Sequence, residues 1–370
     1  MVAGLLDALD QVADPRSARG VRHRLDEVLA IVLIAVVCGA EDCENIEMFG
    51  QSKEPWLRTF LELRHGIPSA DTFRRILAAL NPEALEGCLM RWLQGWKAYQ
   101  RGKIVAVDGK RLRRSFDRAS GKAAIHMIGA WAAESGFCLG QLAVDSKENE
   151  ITALPSLLKL VDLKGATVTI DAMGCQRAIA GQIVAQGGDY VLALKTNQPS
   201  LHGDAKLLLD LGIAQGFEGA HDFHEEADKG HGRVEIRRVW ATDNIAWFPD
   251  KDRWPGLRTW AAVECERTVG DNVSTERRYF ISSVPPNAKA IGYAVRQHWQ
   301  IENGLHWVLD VSFAEDQNRL RTGHSAENLA RIRRIALSLL KRETTNKNGI
   351  KNKRLTAGWN EDYLLKILAT

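Results

Sequence analysis

Cysteine is sparse and never arranged for metal or redox work: the six residues at 38, 43, 88, 138, 175 and 265 show no CxxC spacing. That fits a reducing compartment better than a disulfide framework. Long apolar runs are also missing. The longest, Val28 to Ala40, has about 13 residues and follows Asp26 and Glu27. A bilayer span needs ~20, so a buried helix is the expectation. No cationic segment followed by an apolar core and a cleavage site opens the chain, which reads as cytoplasmic with no membrane partner. There is no internal repeat, and only Thr344 to Lys353 resembles low complexity. What remains is ordinary for a folded protein of 370 residues, 45% apolar and 26% charged, long enough for two or three domains.

The net charge of +3 conceals a segregation of charge. Arg319 to Arg354 holds eleven Lys and Arg against two acids, and Arg101 to Lys122 holds eight against two. Two basic segments in an otherwise acidic chain suggest a surface for a polyanion.

Residues 1–97 read as helical. Leu5, Leu6, Ala8 and Leu9 open a short amphipathic segment, and Leu25 to Cys38 forms the buried helix. Ser69 or Asp71 is placed to cap a helix carrying Phe73, Ile76, Leu77 and Leu80. Asn81-Pro82 stops it, and Leu85, Leu89, Trp92, Leu93 and Trp96 begin another. The pattern suits either a DNA-end-binding domain or a packing module.

A two-residue period then takes over. Strands are expected at 104–107, 124–133 and 137–144, with a hairpin turn at Glu134-Ser135-Gly136. A helix at 152–161, a strand at 166–170, a helix at 176–186 and a strand at 190–194 follow. In this β-β-β-α-β-α-β order, right-handed crossovers place the fourth strand parallel to and beside the first. The expected fold is therefore α/β: a ribonuclease-H-like mixed sheet with flanking helices, a β-rich insertion at 203–283 and an N-terminal helical domain. The sheet domain would comprise 98–202 and 284–343, with helices near 288–309 and 326–341, and 344–370 would be a basic tail.

Two aspartates stand at the ends of the first and fourth strands, Asp108 and Asp171. Singly, each has a plain alternative: Asp108-Gly109 is a common turn pair, and Asp171 could cap the next connection. On adjacent strands the two acids repel unless a cation sits between them. Glu302 lies mid-helix, with His298 and His306 four residues either side. A His-xxx-Glu-xxx-His stripe could bind zinc, but the histidines fit better as groups that orient the carboxylate or touch DNA phosphate. Asp310, Glu315 and Asp316 compete with Glu302 as the third acid.

The run Arg296 to Val311, RQHWQIENGLHWVLDV, resembles the glutamate signature of DDE transposases of bacterial insertion sequences, in the branch containing the H-repeat-associated proteins. Phe313 to Asp316, Asn328-Leu329-Ala330, Val107-Asp108-Gly109-Lys110, Ile170-Asp171-Ala172, Leu194 to Gln198 and His231-Gly232-Arg233 are similar to the same branch. So are Asp14-Pro15-Arg16 to His23 and Gly66 to Phe73. The resemblance implies Asp108, Asp171 and Glu302 as catalytic and metal-binding residues, with Mg2+ as cofactor and Mn2+ as substitute. It implies a bacterial, nucleoid-associated protein acting on the terminal inverted repeats of its element and on target DNA, as a homodimer on DNA. Two alternatives stay open: a metal-dependent nuclease without strand transfer, and an inactive DNA-binding remnant. The chain departs from the wider group ahead of the glutamate. Val295 and His298 stand seven and four residues before it and Leu309 seven after, where many relatives carry Tyr, Arg and Lys.

Candidate DNA contacts are Lys110, Arg111, Arg113 and Arg114 after the first strand, and Lys195, Asn197 and Gln198 after the fifth. Arg296 and His298 on the glutamate helix join them, as do Arg319, Arg321, Arg331, Arg333 and Arg334. Part of that last helix must still pack inward through Ile332, Ile335, Leu339 and Leu340.

Overall fold

The computed structural model describes the chain apart from residues 1, 18–20, 94–102, 117–120, 122, 145–149, 231 and 370. Trp96, the 97/98 boundary, His231 and parts of the first basic segment therefore lie outside the described residues.

One mixed sheet of nine strands organises the molecule, in the order β3-β2-β1-β4-β5-β9-β8-β7-β6. Strand β1 (Ile104–Arg111) pairs antiparallel with β2 (His126–Ala132), which pairs antiparallel with β3 (Phe137–Val144). The helix Glu150–Lys159 leads to β4 (Thr167–Ile170), parallel to β1, and the helix Arg177–Ala185 leads to β5 (Asp189–Leu194), parallel to β4. This is the ribonuclease-H-like order expected from the sequence, with buried apolar strands between covering helices.

The β-rich stretch continues that sheet. Strand β9 (Asn272–Ser282) pairs antiparallel with β5, followed outward by β8 (Thr259–Val269), β7 (Arg233–Thr242) and β6 (His221–Gly230). Strand β6 gives no sequence signal: HDFHEEADKG lacks an apolar alternation and is almost wholly exposed. Its backbone ladder to β7 and cross-strand pairs such as Arg238–Glu225, 2.7 Å, hold it.

The N-terminal helices form as read. Ser69 caps the helix Ala70–Ala79 by accepting from the Thr72 amide, and Asn81 caps Pro82–Trp92, with proline at its first position. Every residue of helix Leu25–Val37 is buried. It packs against the helix Ser325–Arg342, which is itself buried from Ser325 to Leu340 and also meets β3 and the Ala70–Ala79 helix. The expected basic tail is instead two helices, Ile350–Trp359 and Glu361–Ala369. Ala357, Leu364, Ile367 and Leu368 enter the core, and the Lys353 ammonium caps the Leu340 carbonyl at 2.9 Å. The Lys/Asn-rich lead into these helices obscures an apolar spacing that was readable. No helix among the described residues is long and apolar enough to cross a membrane.

Candidate active site

The parallel ladder of β1 and β4 ends at Val107↔Ile170, so the next residue of each strand is an aspartate. That register brings Asp108 and Asp171 to the same depression, lined also by Gly109, Glu150, Ile151, Met173 and Gly174. Asp108 is not in a turn. Strand β1 runs on against β2, with Asp108 opposite Gly129 and Gly109 opposite Ile128. Gly109 is required for a different reason: a Cβ there would meet His126 Nε2 at 2.5 Å and the Glu150 carboxylate closer still. His126, on β2, and the Glu150 carboxylate are in buried contact there. Gly109→Ala must push that pair aside, so a loss of about 1–3 kcal/mol in unfolding free energy is expected from denaturant titration.

Glu302 follows the helix Ala288–Ile301 and begins a π turn, Glu302–His306, before the helix Trp307–Phe313. The expected single helix is thus continuous but widened at the glutamate. Such a turn marks functional positions more often than plain helix does. Within it His306 Nδ1 lies 3.4 Å from Glu302 Oε2 and 3.9 Å from Asp108 Oδ2. Asp108, Glu302 and His306 offer ligand atoms all within 4.8 Å of one another. Burial, then the hydrogen bond with Glu302 and the charges of Glu302 and Asp171, push the Asp108 carboxyl up to about 8. The His306 hydrogen bond chiefly holds Glu302 down, at about 2. Without a cation, one proton therefore sits on Asp108 facing the Glu302 carboxylate.

Asp171 caps the short 3-10 turn Ala172–Gly174, its Oδ1 accepting from the Met173 and Gly174 amides at 3.1 and 3.3 Å. Asp171 shares the depression with Asp108, but its carboxylate lies outside the tighter group of Asp108, Glu302 and His306 donor atoms. Two residues assigned to the DNA strand stabilise this turn instead. Asn197 Nδ2 donates to the Ala172 carbonyl at 2.6 Å, and Gln198 Nε2 to the Cys175 carbonyl at 3.0 Å. Asn197→Ala, which frees the turn carrying Asp171, is expected to lower cleavage by about tenfold at a small cost in melting temperature, since small misplacements cost rate. Parallel thermal melts and cleavage rates check it.

The competing acids are each committed elsewhere. Lys110, buried in the strand after Asp108, holds both Asp310 oxygens at 2.7 Å and lies 3.6 Å from Asp316. Arg113 meets Asp316 at 3.2 Å, and Glu315 is buried against Arg334 at 2.9 Å. Lys110 is accordingly a counter-charge inside the protein, not an exposed phosphate clamp. Arg331, Arg333 and Arg334 are likewise 1% exposed and cannot reach a DNA backbone in this fold. Arg331 pairs with Glu86 and Glu327, while Arg333 donates to the Glu41 carbonyl at 2.7 Å. Arg296 bridges to Glu226 and Asp228 on β6 at 3.0 and 2.7 Å. His298 Nδ1 contacts Thr169 Oγ1 on β4 at 3.0 Å, and burial lowers its basicity. Arg321 is half-buried, its guanidinium on the Arg114 carbonyl and over Phe116. Arg111, Arg113, Lys195 and Arg319 are exposed, and Arg114 is partly so.

Two site features went unread in the sequence. The His126–Glu150 pair had no signal, because its members are 24 residues apart on different elements. His306 was visible as the i+4 neighbour of Glu302, but its approach to Asp108 depends on the π turn.

A mixed sheet of this order, with acids at paired strand ends and a third on a crossing helix, defines a ribonuclease-H-like protein. The chain matches the family described as "Transposase DDE domain" over residues 99–339 and the one described as "DDE_Tnp_1-associated" over residues 6–93. It belongs to the DDE transposase family. It is 37% identical to "Putative transposase YncI" of Escherichia coli O157:H7, covering 100% of this chain and 95% of that one. It is 35% identical to "H repeat-associated putative transposase YhhI" of Escherichia coli K12, covering 99% and 97%. A 45% match to "Uncharacterized protein in dhlA 3'region" of Xanthobacter autotrophicus covers 74% and 92%.

Proposed function

We propose that this transposase cuts the DNA ends of its own insertion sequence and joins them to target DNA, with Asp108, Asp171 and Glu302 as the catalytic carboxylates. The observation that carries the reading is the state of Asp108. It faces Glu302 on one side and feels Asp171 on the other, and its carboxyl is pushed up to about 8 in the absence of a cation. Carboxylates crowded this way fit divalent cations, whose charge removes their repulsion. When bound there, Mg2+, or Mn2+ in its place, would supply Lewis-acid stabilisation of attacking and leaving oxygens in an in-line phosphoryl transfer.

The protein's own groups do the rest. Asp108 and Glu302 would hold the cation, and the contact with His306 favours the ionised form of Glu302. Asn197 and Gln198 keep the Asp171 turn fixed, and Lys110 neutralises Asp310 and Asp316 beside the site. Exposed Arg111, Arg113, Lys195 and Arg319 suit phosphate contacts around the scissile strand. The N-terminal helices serve as the element-end-binding unit, and two copies synapse two ends. The test is integration of synthetic element ends into a supercoiled plasmid with Mg2+ or Mn2+. Joined products are expected. Cleavage with no joining would reduce the protein to a nuclease, and neither product with both metals would sink the reading.

A further inference from the structure

We infer that His306 is a metal ligand of this site, so that the cation shared by Asp108 and Glu302 is held by two carboxylate oxygens and one imidazole nitrogen. The inference rests on the proposed function for the presence of a cation, and goes beyond it in assigning a nitrogen donor and the kind of ion that donor favours.

Three observations meet at this residue. His306 is 6% exposed, buried beside the two acids. Its Nδ1 faces both acids, at 3.4 Å from Glu302 and 3.9 Å from Asp108, and the proton it shares with Glu302 without metal would be released as the nitrogen becomes a ligand. Two ligand atoms each ~2.1 Å from one ion stand ~3.0 Å apart at a right angle and at most ~4.2 Å apart when opposite. Both His306 separations fall inside that window, and the donor atoms of all three groups lie within 4.8 Å of one another, so small side-chain movements would bring the three onto one ion. The third observation is the π turn, which starts at Glu302 and closes just after His306, with the Trp307 amide donating to the Glu302 carbonyl. It carries both the oxygen and the nitrogen donor on five consecutive residues.

The neighbouring histidine does not compete. His298 spends its Nδ1 on Thr169, and it is absent from the group of converging donor atoms. It braces the glutamate helix against β4.

A nitrogen donor changes which ion binds best. Oxygen-only sites suit Mg2+, whereas imidazole strengthens binding of first-row transition ions in the order Mn2+ below Co2+. The purified full-length chain should therefore bind Co2+ at least about tenfold more tightly than Mg2+, measured by competition calorimetry without DNA. Pulsed EPR of the Mn2+-loaded chain should show coupling to a histidine nitrogen, shifted on 15N-histidine labelling. The coupling should survive His298→Gln and vanish in His306→Gln, and the Co2+ advantage should shrink by about tenfold or more in His306→Gln.

Mn2+ binding that needs Asp108 but shows no nitrogen coupling would overturn the assignment and leave the proposed function standing. Loss of the coupling in His298→Gln with retention in His306→Gln would overturn it as well. No Mn2+ binding by the wild-type chain at millimolar metal, with or without element-end DNA, would sink both readings together. Should His306→Gln fail to fold, the labelled wild-type spectrum and the His298→Gln spectrum decide the assignment between them: a histidine coupling present in both supports it, and its absence from either overturns it.

Discussion

Asp108→Asn is expected to abolish metal-dependent cleavage of an element-end duplex, by at least ~10³-fold or ~4 kcal/mol of transition-state stabilisation, and at the same time to stabilise the metal-free protein at pH 8. The two effects share one cause. Asp108 is buried among acids, and its carboxyl is held at about 8 in the fold, against 3.8 for the ordinary group. Because the folded state keeps the proton that the unfolded chain gives up, the neutral group favours folding fully below pH ~4, and the advantage is lost as pH rises toward 8. Asparagine keeps the shape and the neutral state but never ionises. Melting temperatures without metal should therefore diverge with pH, the variant gaining on wild type from pH 5 to pH 8. Added Mn2+ should reverse the order by stabilising only the wild type, and more at pH 8 than at pH 6, since the metal displaces a proton below pH 8. Equal metal stabilisation of both proteins would show that Asp108 is not at the cation. Duplex affinity measured in EDTA should stay within about twofold, since Asp108 contributes no positive charge.

The placing of Asp108 and Asp171 was legible because strand pairing is local in its logic. A hairpin pair followed by a right-handed crossover leaves β4 little choice but to lie beside β1, and equal strand starts then bring the two aspartates level. Glu302 was found by the resemblance of RQHWQIENGLHW, not by periodicity, which would have treated it as any helical acid. The failures are of one physical kind. Strand β6 is held by its ladder and by charge pairs, neither of which leaves an apolar alternation. The polar Asn197 and Gln198 look like ligand-binding groups in sequence, yet their amides are spent on main-chain carbonyls of the Asp171 turn. Whether a polar side chain meets solvent or a buried partner depends on contacts between distant segments. Asn328 makes the case plainly, donating from the C-terminal part of the chain to the carbonyls of Leu77 and Leu80 at 2.8 and 2.9 Å.

The arginines of helix Ser325–Arg342 turn that lesson into the second large effect. Arg331 joins three parts of the chain: Glu86 from the N-terminal helices, the Gln141 carbonyl on β3 at 3.3 Å, and Glu327 of its own helix at 2.6 Å. Glu86 in turn accepts from the Gln141 amide at 2.9 Å. Replacing Arg331 with methionine fills most of the volume but leaves two buried carboxylates facing each other with no cation. Breaking one side of a buried ion pair costs ~3–5 kcal/mol, so the melting temperature should fall by roughly 5 °C. Adding Glu86→Met and Glu327→Met should recover most of the loss, because an apolar replacement of the whole network carries no orphaned charge. Cleavage per folded molecule should stay near wild type, as the network meets the sheet at Gln141 on β3, two strands from Asp108 on β1. The reading of Arg331 as a DNA-backbone contact makes the opposite forecast: unchanged melting, weaker duplex binding, and a salt dependence shallower by about one charge. A melting curve and a salt titration on the same variant decide between them.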